Sequence, residues 1–152
     1  MWKRFILFLV LNFGALALGG FLMSNPATNL WYKNLHQAPW TPPGWVFGAA
    51  WFTVMIFFSI YMASVLKNSV NRAKWITLFS IQFVLNVAWN PVFFRFHHIG
   101  FGLVVLLLLF VVLLLMVYQS KEARRKTLPF LLPYLIWMCV AISLNGYIFM
   151  YA

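Results

Sequence analysis

The sequence predicts an all-α membrane protein, a five-transmembrane-helix bundle. Three observations carry that prediction. Of the 152 residues, 64% are hydrophobic and only 8% are charged, and a soluble core of this size has no way to hide so much apolar surface behind so little charge. Five apolar runs reach the roughly 20 residues that a helix needs to cross the hydrocarbon. They are Phe5–Met23, Gly44–Leu66, Trp75–Phe94, Gly100–Tyr118 and Pro129–Tyr151. The continuous run from Val104 to Val117 contradicts the alternation, in segments of about 10 residues, of a membrane barrel. One bundle over residues 1–152 is expected, with a ligand-capping connector at about 25–43.

Charge sets the expected orientation. Eleven Lys and Arg stand against a single acid, Glu122, for a formal net charge of +10. In a soluble protein that imbalance would suggest a nucleic-acid partner; here the bases fall between apolar spans, and no nucleic-acid partner is expected. Lys3, Arg4, Lys67, Arg72, Lys74, Lys121, Arg124, Arg125 and Lys126 share one side, and only Lys33 and Arg95 share the other. The positive-inside rule then places the N-terminus in the cytoplasm and the C-terminus outside, as a multi-pass protein of a bacterial cell membrane. The connector faces outward, and the cytoplasmic bases meet anionic lipid headgroups of the bilayer.

The first span follows Lys3 and Arg4 as a signal peptide would. Its apolar part is longer than an ordinary signal core and lacks a small-residue exit, so it is expected to be retained. Asn12 is polar at membrane depth. Ala15 and Gly19 are four apart and let a neighbouring helix approach closely, while Gly14 and Gly20 thin the wall further.

The connector has no clear helical period, and its 19 residues exceed the usual link between packed helices, which points weakly to function. Trp31, Tyr32 and Trp40 suit the headgroup level, each having an apolar face and a polar tip. Thr41-Pro42-Pro43-Gly44 reads as an N-cap followed by prolines entering the first turn of the second span. On that span Phe47, Trp51, Met55 and Phe58 fall on one face. Trp51 lies inside the membrane boundary, where its N–H needs a partner.

On the third span Gln82, Asn86 and Asn90 are spaced by four and share a face flanked by Trp89. Amides in hydrocarbon are expensive unless paired, so the stripe points into the bundle, as packing glue or as a handle for a ligand. Pro91 bends the last turn and frees the Val87 carbonyl. His97 and His98 form a short loop pair, which is weak evidence for a metal, and no metal site is expected. The fourth span is aliphatic and reads as scaffold, lipid contact or a homodimer surface. Gln119–Thr127 reads as a charged turn. The fifth span begins near Pro129 and presents Trp137, Ala141 and Asn145 on one face, with small Ala141 leaving space for a planar guest. Cys139 reads as a core residue.

Absences narrow the chemistry. One carboxylate cannot support paired-acid hydrolysis or an acidic proton relay. The sequence has no phosphate loop, metalloprotease motif or Cys pair. The residues themselves therefore point to a pocket between Trp51, Asn90 and Trp137 for a flat, mostly apolar molecule.

Four ordered motifs carry a resemblance. They are WYxxL at Trp31–Leu35, PWTPPGWVFxxxW at Pro39–Trp51, WNPVFF at Trp89–Phe94, and PYLIW at Pro133–Trp137 with ISLN at Ile142–Asn145. In that order and spacing the chain resembles the tryptophan-rich sensory protein family, also called the translocator or peripheral-type benzodiazepine receptor family, in its bacterial form. The resemblance implies a frequently homodimeric five-helix bundle that binds porphyrins, such as protoporphyrin IX, and isoquinoline or benzodiazepine-type ligands. It implies ligand contacts at Tyr32 and Pro42 near the connector and at Trp51, Asn90 and Trp137 in the bundle; Ala141 joins them as the small wall. No cofactor is required, a porphyrin being ligand or substrate. Light- and oxygen-dependent porphyrin degradation, with Trp51 and Trp137 as the catalytic pair, and transport of a porphyrin or another small lipophile remain open beside receptor or sensor function.

Overall fold

The computed structural model describes residues 1–23, 26–120 and 124–151. Its helices are α1 (Trp2–Met23), α2 (Pro26–Lys33), α3 (Gly44–Asn68), α4 (Arg72–Asn90), α5 (Ile99–Gln119) and α6 (Arg124–Tyr151), and a π-helical turn over Pro91–Arg95 prolongs α4. There is no strand among the described residues. Five of the helices, all but α2, are long and apolar enough to cross a membrane. They extend past the apolar runs, and α6 does so furthest: it begins at Arg124 rather than near Pro129. The turn expected over Gln119–Thr127 shrinks accordingly, and Lys121, Glu122 and Ala123 lie outside the described residues. Helix continues into the polar interface because its backbone bonds are internal, so an apolar count marks only the part inside hydrocarbon.

The five long helices close into a ring. Helix α1 packs on α3 and α4, α3 on α6, α6 on α5, and α5 on α4. At the end holding the α3–α4 link, the axis is filled by large side chains, among them Phe58, Tyr61, Met62, Trp75, Phe79, Met116 and Tyr134. Phe58 touches Tyr134 edge-on at 5.0 Å and stacks on Phe79 at 5.9 Å.

Polar side chains cross-link the ring. Asn12 donates to Ser59 at 2.9 Å between α1 and α3, and Tyr134 donates to Gln82 at 2.8 Å between α6 and α4. Tyr61 pairs with Ser120 at 2.8 Å. Bonds of this kind average about 0.6 kcal/mol in a membrane, so they fix register while close packing supplies most of the cohesion.

Several local expectations are corrected. The connector is not wholly irregular: Pro26 opens the short helix α2, at the position where a missing N–H costs nothing. Thr41 is not the N-cap of α3. That position belongs to Pro43, extended at φ −59° and ψ 155°, with no side-chain capping bond. Pro43 holds Pro42 out of the helical region, which delays helix entry to Gly44. Trp31, Tyr32 and Trp40, expected at the headgroup level, also pack on the bundle. Cys139 is exposed on the outer surface, not in the core.

Beyond Asn90 the helix widens. Pro91 has no N–H for the Val87 carbonyl, and the bonds that follow skip further ahead, Phe96 N–H to the Pro91 carbonyl at 2.9 Å and His98 N–H to the Val92 carbonyl at 3.0 Å. The expected disturbance at Pro91 thus takes the form of a π turn, a geometry frequent at functional sites. It ends at Arg95, and the chain then turns through His97, in the left-handed region at φ 57°.

Candidate functional site

The end of the ring opposite the packed axis contains a cavity of about 630 Å³, bounded by α1, the connector, α3, α4 with its π turn, α5 and α6. This lies within the roughly 300–1,000 Å³ range of small-molecule sites. Small residues create the room on one side: Ala15, Gly20, Gly44 and Gly48 line it where α1 meets α3, and Ala141 lines it on α6. Gly19 sits just behind, and a Cβ there would collide with the Asn90 amide. The close approach expected of Ala15 and Gly19 is therefore made between α1 and α4.

All six residues singled out in the sequence, Tyr32, Pro42, Trp51, Asn90, Trp137 and Ala141, line this one cavity. Trp51 and Trp137 stand edge to face, with centroids 6.4 Å apart and planes at 80°. Phe47 sits edge-on to Trp137 at 5.4 Å, and Tyr134 does the same to Trp51 at 6.2 Å. The aromatic face of α3 thus meets α6 throughout its outer half.

The polar groups differ in what they have to spare. Gln82 is consumed by Tyr134 below the cavity, and the Trp89 indole donates to Asn145 Oδ1 at 3.2 Å while Asn145 Nδ2 donates to the Ile99 carbonyl at 3.0 Å. These groups act as packing glue. Asn86 and Asn90 line the cavity, and Asn90 Nδ2 reaches the Asn86 carbonyl only at 3.5 Å, a bond weak enough to be released at small cost. Trp137 has the most to offer. It is 7% exposed, and its indole N–H is, among the described residues, a buried donor without an acceptor. Such a donor costs about 1–3 kcal/mol until something accepts from it.

The connector is riveted across the mouth from two sides. On the α4 side, Trp31 stacks on His97 at 4.0 Å and 13°, and Tyr32 meets Phe94 at 5.3 Å and Phe93 at 6.0 Å. On the α6 side, the Trp40 indole donates to Ser143 Oγ at 3.1 Å and its ring meets Tyr147 at 5.4 Å. Burial pushes the Tyr32 phenol above its ordinary value, which keeps it neutral. The connector also brings Lys33, Gln37 and Thr41 to the cavity. Lys33 and Gln37 were not legible as lining residues, because a short helix set between polar residues leaves no period to read; Lys33 stood out only as one of two bases on the sparsely charged side. No cluster of three or more His, Cys, Asp or Glu suited to a metal occurs among the described residues.

The tryptophan-rich sensory protein of Cereibacter sphaeroides is 28% identical over 144 residues, 95% of this chain and 88% of that one. The tryptophan-rich protein TspO of Chlorobaculum tepidum is 33% identical over 136 residues, 86% of this chain and 85% of its own. The human translocator protein is 30% identical over 119 residues, 76% of this chain and 70% of its own. The TspO/MBR family matches residues 5–151, which span all five long helices and the connector, and the chain belongs to that family.

Proposed function

We propose that this chain is a membrane receptor or sensor for a porphyrin such as protoporphyrin IX, and for flat isoquinoline or benzodiazepine-type molecules, bound in the cavity beneath the connector. The observation that carries the reading is the Trp137 indole N–H, buried at the cavity wall with no acceptor among the described residues. A flat guest stacks against Trp51 and Trp137, and a small turn of the Trp137 ring brings its N–H to ring or carbonyl acceptors on the guest, while Asn90 offers a second polar contact. Ala141 leaves the guest room, and Tyr32 and Pro42 close over it as part of a lid. The lid faces outward, with the N-terminus cytoplasmic and the C-terminus outside. The bundle works as a homodimer, and the outward Val104, Leu107, Leu108, Val111, Leu114 and Leu115 of α5 suit lipid or a second copy.

The paired indoles, 6.4 Å apart, support a second reading. A light-excited porphyrin stacked against them, with dioxygen as oxidant, would be degraded with Trp51 and Trp137 taking part. One experiment separates the two: an absorbance titration of the purified protein with protoporphyrin IX in darkness and under illumination, following tryptophan quenching in the same samples. Saturable binding without a product is the receptor result. A new absorbing product that needs light, oxygen and both tryptophans is the degradation result, and absence of saturable binding removes both.

A further inference from the structure

We propose that the cavity opens sideways into the bilayer through the seam between α1 and α3, with Phe52 as its gate, so that a guest dissolved in the membrane enters past Phe52 while the connector stays docked. This rests on the reading of the cavity as a ligand site and names the route by which that site fills.

The residues at the seam belong to two surfaces at once. Leu16 and Gly20 of α1 and Gly44, Gly48 and Phe52 of α3 line the cavity, yet Gly44, Gly48 and Phe52 are also exposed. Exposure to the chamber alone does not account for Phe52. It is 55% exposed and shares a helical face with the exposed Trp45 and Ile56, since positions four and seven apart stack on one side of a helix. Trp51, Met55 and Phe58 turn instead toward the core. At Phe52, therefore, a single side chain separates the chamber from lipid.

Small residues keep the seam open above it. A Cβ added at Gly20, Gly44 or Gly48 would meet nothing within 4 Å, although α1 packs on α3. Deeper in the bundle the two helices are joined, by Asn12 donating to Ser59 at 2.9 Å and by the Phe13 ring tilted on Phe52 at 5.1 Å. The contact at Phe52 is ring against ring, so it parts by side-chain rotation, a fast motion for an exposed residue. Opening the connector asks for more: the stack of Trp31 on His97 and the hydrogen bond from Trp40 to Ser143 must break.

Depth decides what stands outside the gate. Trp45 is 74% exposed at the start of α3, an indole of the kind that settles at the headgroup level. Gly48 and Phe52 lie about 4.5 Å and about 10 Å further along the helix, on the hydrocarbon side of that level. The opening thus meets acyl chains, and what it admits is a molecule that partitions into them.

The test is stopped-flow tryptophan quenching by protoporphyrin IX, in darkness, with the protein in phosphatidylcholine vesicles; dissociation is followed on mixing with excess empty vesicles. The proteins are the wild type, Gly48→Leu, Phe52→Ala and Trp40→Ala. Leucine at 48 starts in open space and alanine at 52 trims a lipid-facing position, so both leave the core in place. The expected result is that Gly48→Leu slows association and dissociation together by about tenfold, Phe52→Ala speeds both several-fold, and Trp40→Ala changes association less than either. Association unchanged in either seam variant, or accelerated more by Trp40→Ala than by Phe52→Ala, assigns entry to the connector and overturns the proposal while leaving the ligand site standing. Faster dissociation from Gly48→Leu marks a lost fit inside the chamber and overturns it as well. If quenching saturates in none of the proteins, the ligand site falls and the doorway with it.

Discussion

On the proposed function, a single atom of Trp137 distinguishes a binding wall from a packing wall. Its indole is held by Phe47 and Trp51, yet its N–H has no acceptor among the described residues, whereas the Trp89 N–H on the facing helix is spent on Asn145. Trp137→Phe should therefore weaken porphyrin binding by about fivefold to tenfold, the worth of one hydrogen bond. It should cost the unliganded fold no more than about 1.5 kcal/mol, because the buried N–H it removes has no acceptor to lose among the described residues; quenching titration and thermal unfolding check the two parts. Glycines on α1 make a second contrast. Gly19→Ala drives a methyl into the Asn90 amide and should destabilise the bundle by about 1–3 kcal/mol, while Gly14, with nothing within 4 Å, should accept Ala with a gain of about 0.5–1 kcal/mol. Unfolding in detergent measures both. Trp51, Asn90 and Trp137 were legible from sequence because an indole or amide at membrane depth needs a partner wherever it lies. Cys139 was not legible: in lipid the outside of a helix is as apolar as the inside, so a long apolar span gives no stripe that tells the core face from the lipid face.

At the scale of elements, the apolar spans were readable and their ends were not. A span is marked by its transfer into hydrocarbon, while helix ends such as Arg124 are set by backbone bonding in the interface. Helix α2 escaped notice because its eight residues are too few and too polar to show a period. The riveting of Trp31 to His97 and Trp40 to Ser143 was also out of reach, since it joins residues far apart in sequence. Its consequence is kinetic: Trp40→Ala removes the α6 rivet and should raise the ligand dissociation rate several-fold, with a smaller change in association, as stopped-flow fluorescence would show. Tyr32 adds a pH dependence with a definite sign. Its phenol is raised above 10.0 by burial, so the docked connector favours the neutral form. Its contribution is complete below 10.0 and is lost as pH rises above that value through the raised one. Acrylamide quenching of tryptophan should therefore stay level through neutral pH and increase above the ordinary tyrosine range, and Tyr32→Phe should abolish the increase that belongs to the phenol.

At the scale of the molecule, five spans and their order in the chain do not dictate which helices touch. The ring order, with α1 between α3 and α4 and α6 between α3 and α5, divides the axis into a packed half and an open half. The large core side chains Tyr61, Met62, Trp75, Met116 and Tyr134 fill the former, and small residues on α1 and α3 open the latter. The cavity is thereby confined to one end, beneath the connector that the motifs had already marked. The central claim is that this chamber binds a flat acceptor-bearing guest through Trp137. Its most direct test is an equilibrium titration of protoporphyrin IX in darkness, comparing wild type with Trp137→Phe. Saturable quenching with affinity reduced about fivefold or more in the variant is the predicted result; quenching that never saturates, or identical affinity in the two proteins, would contradict it.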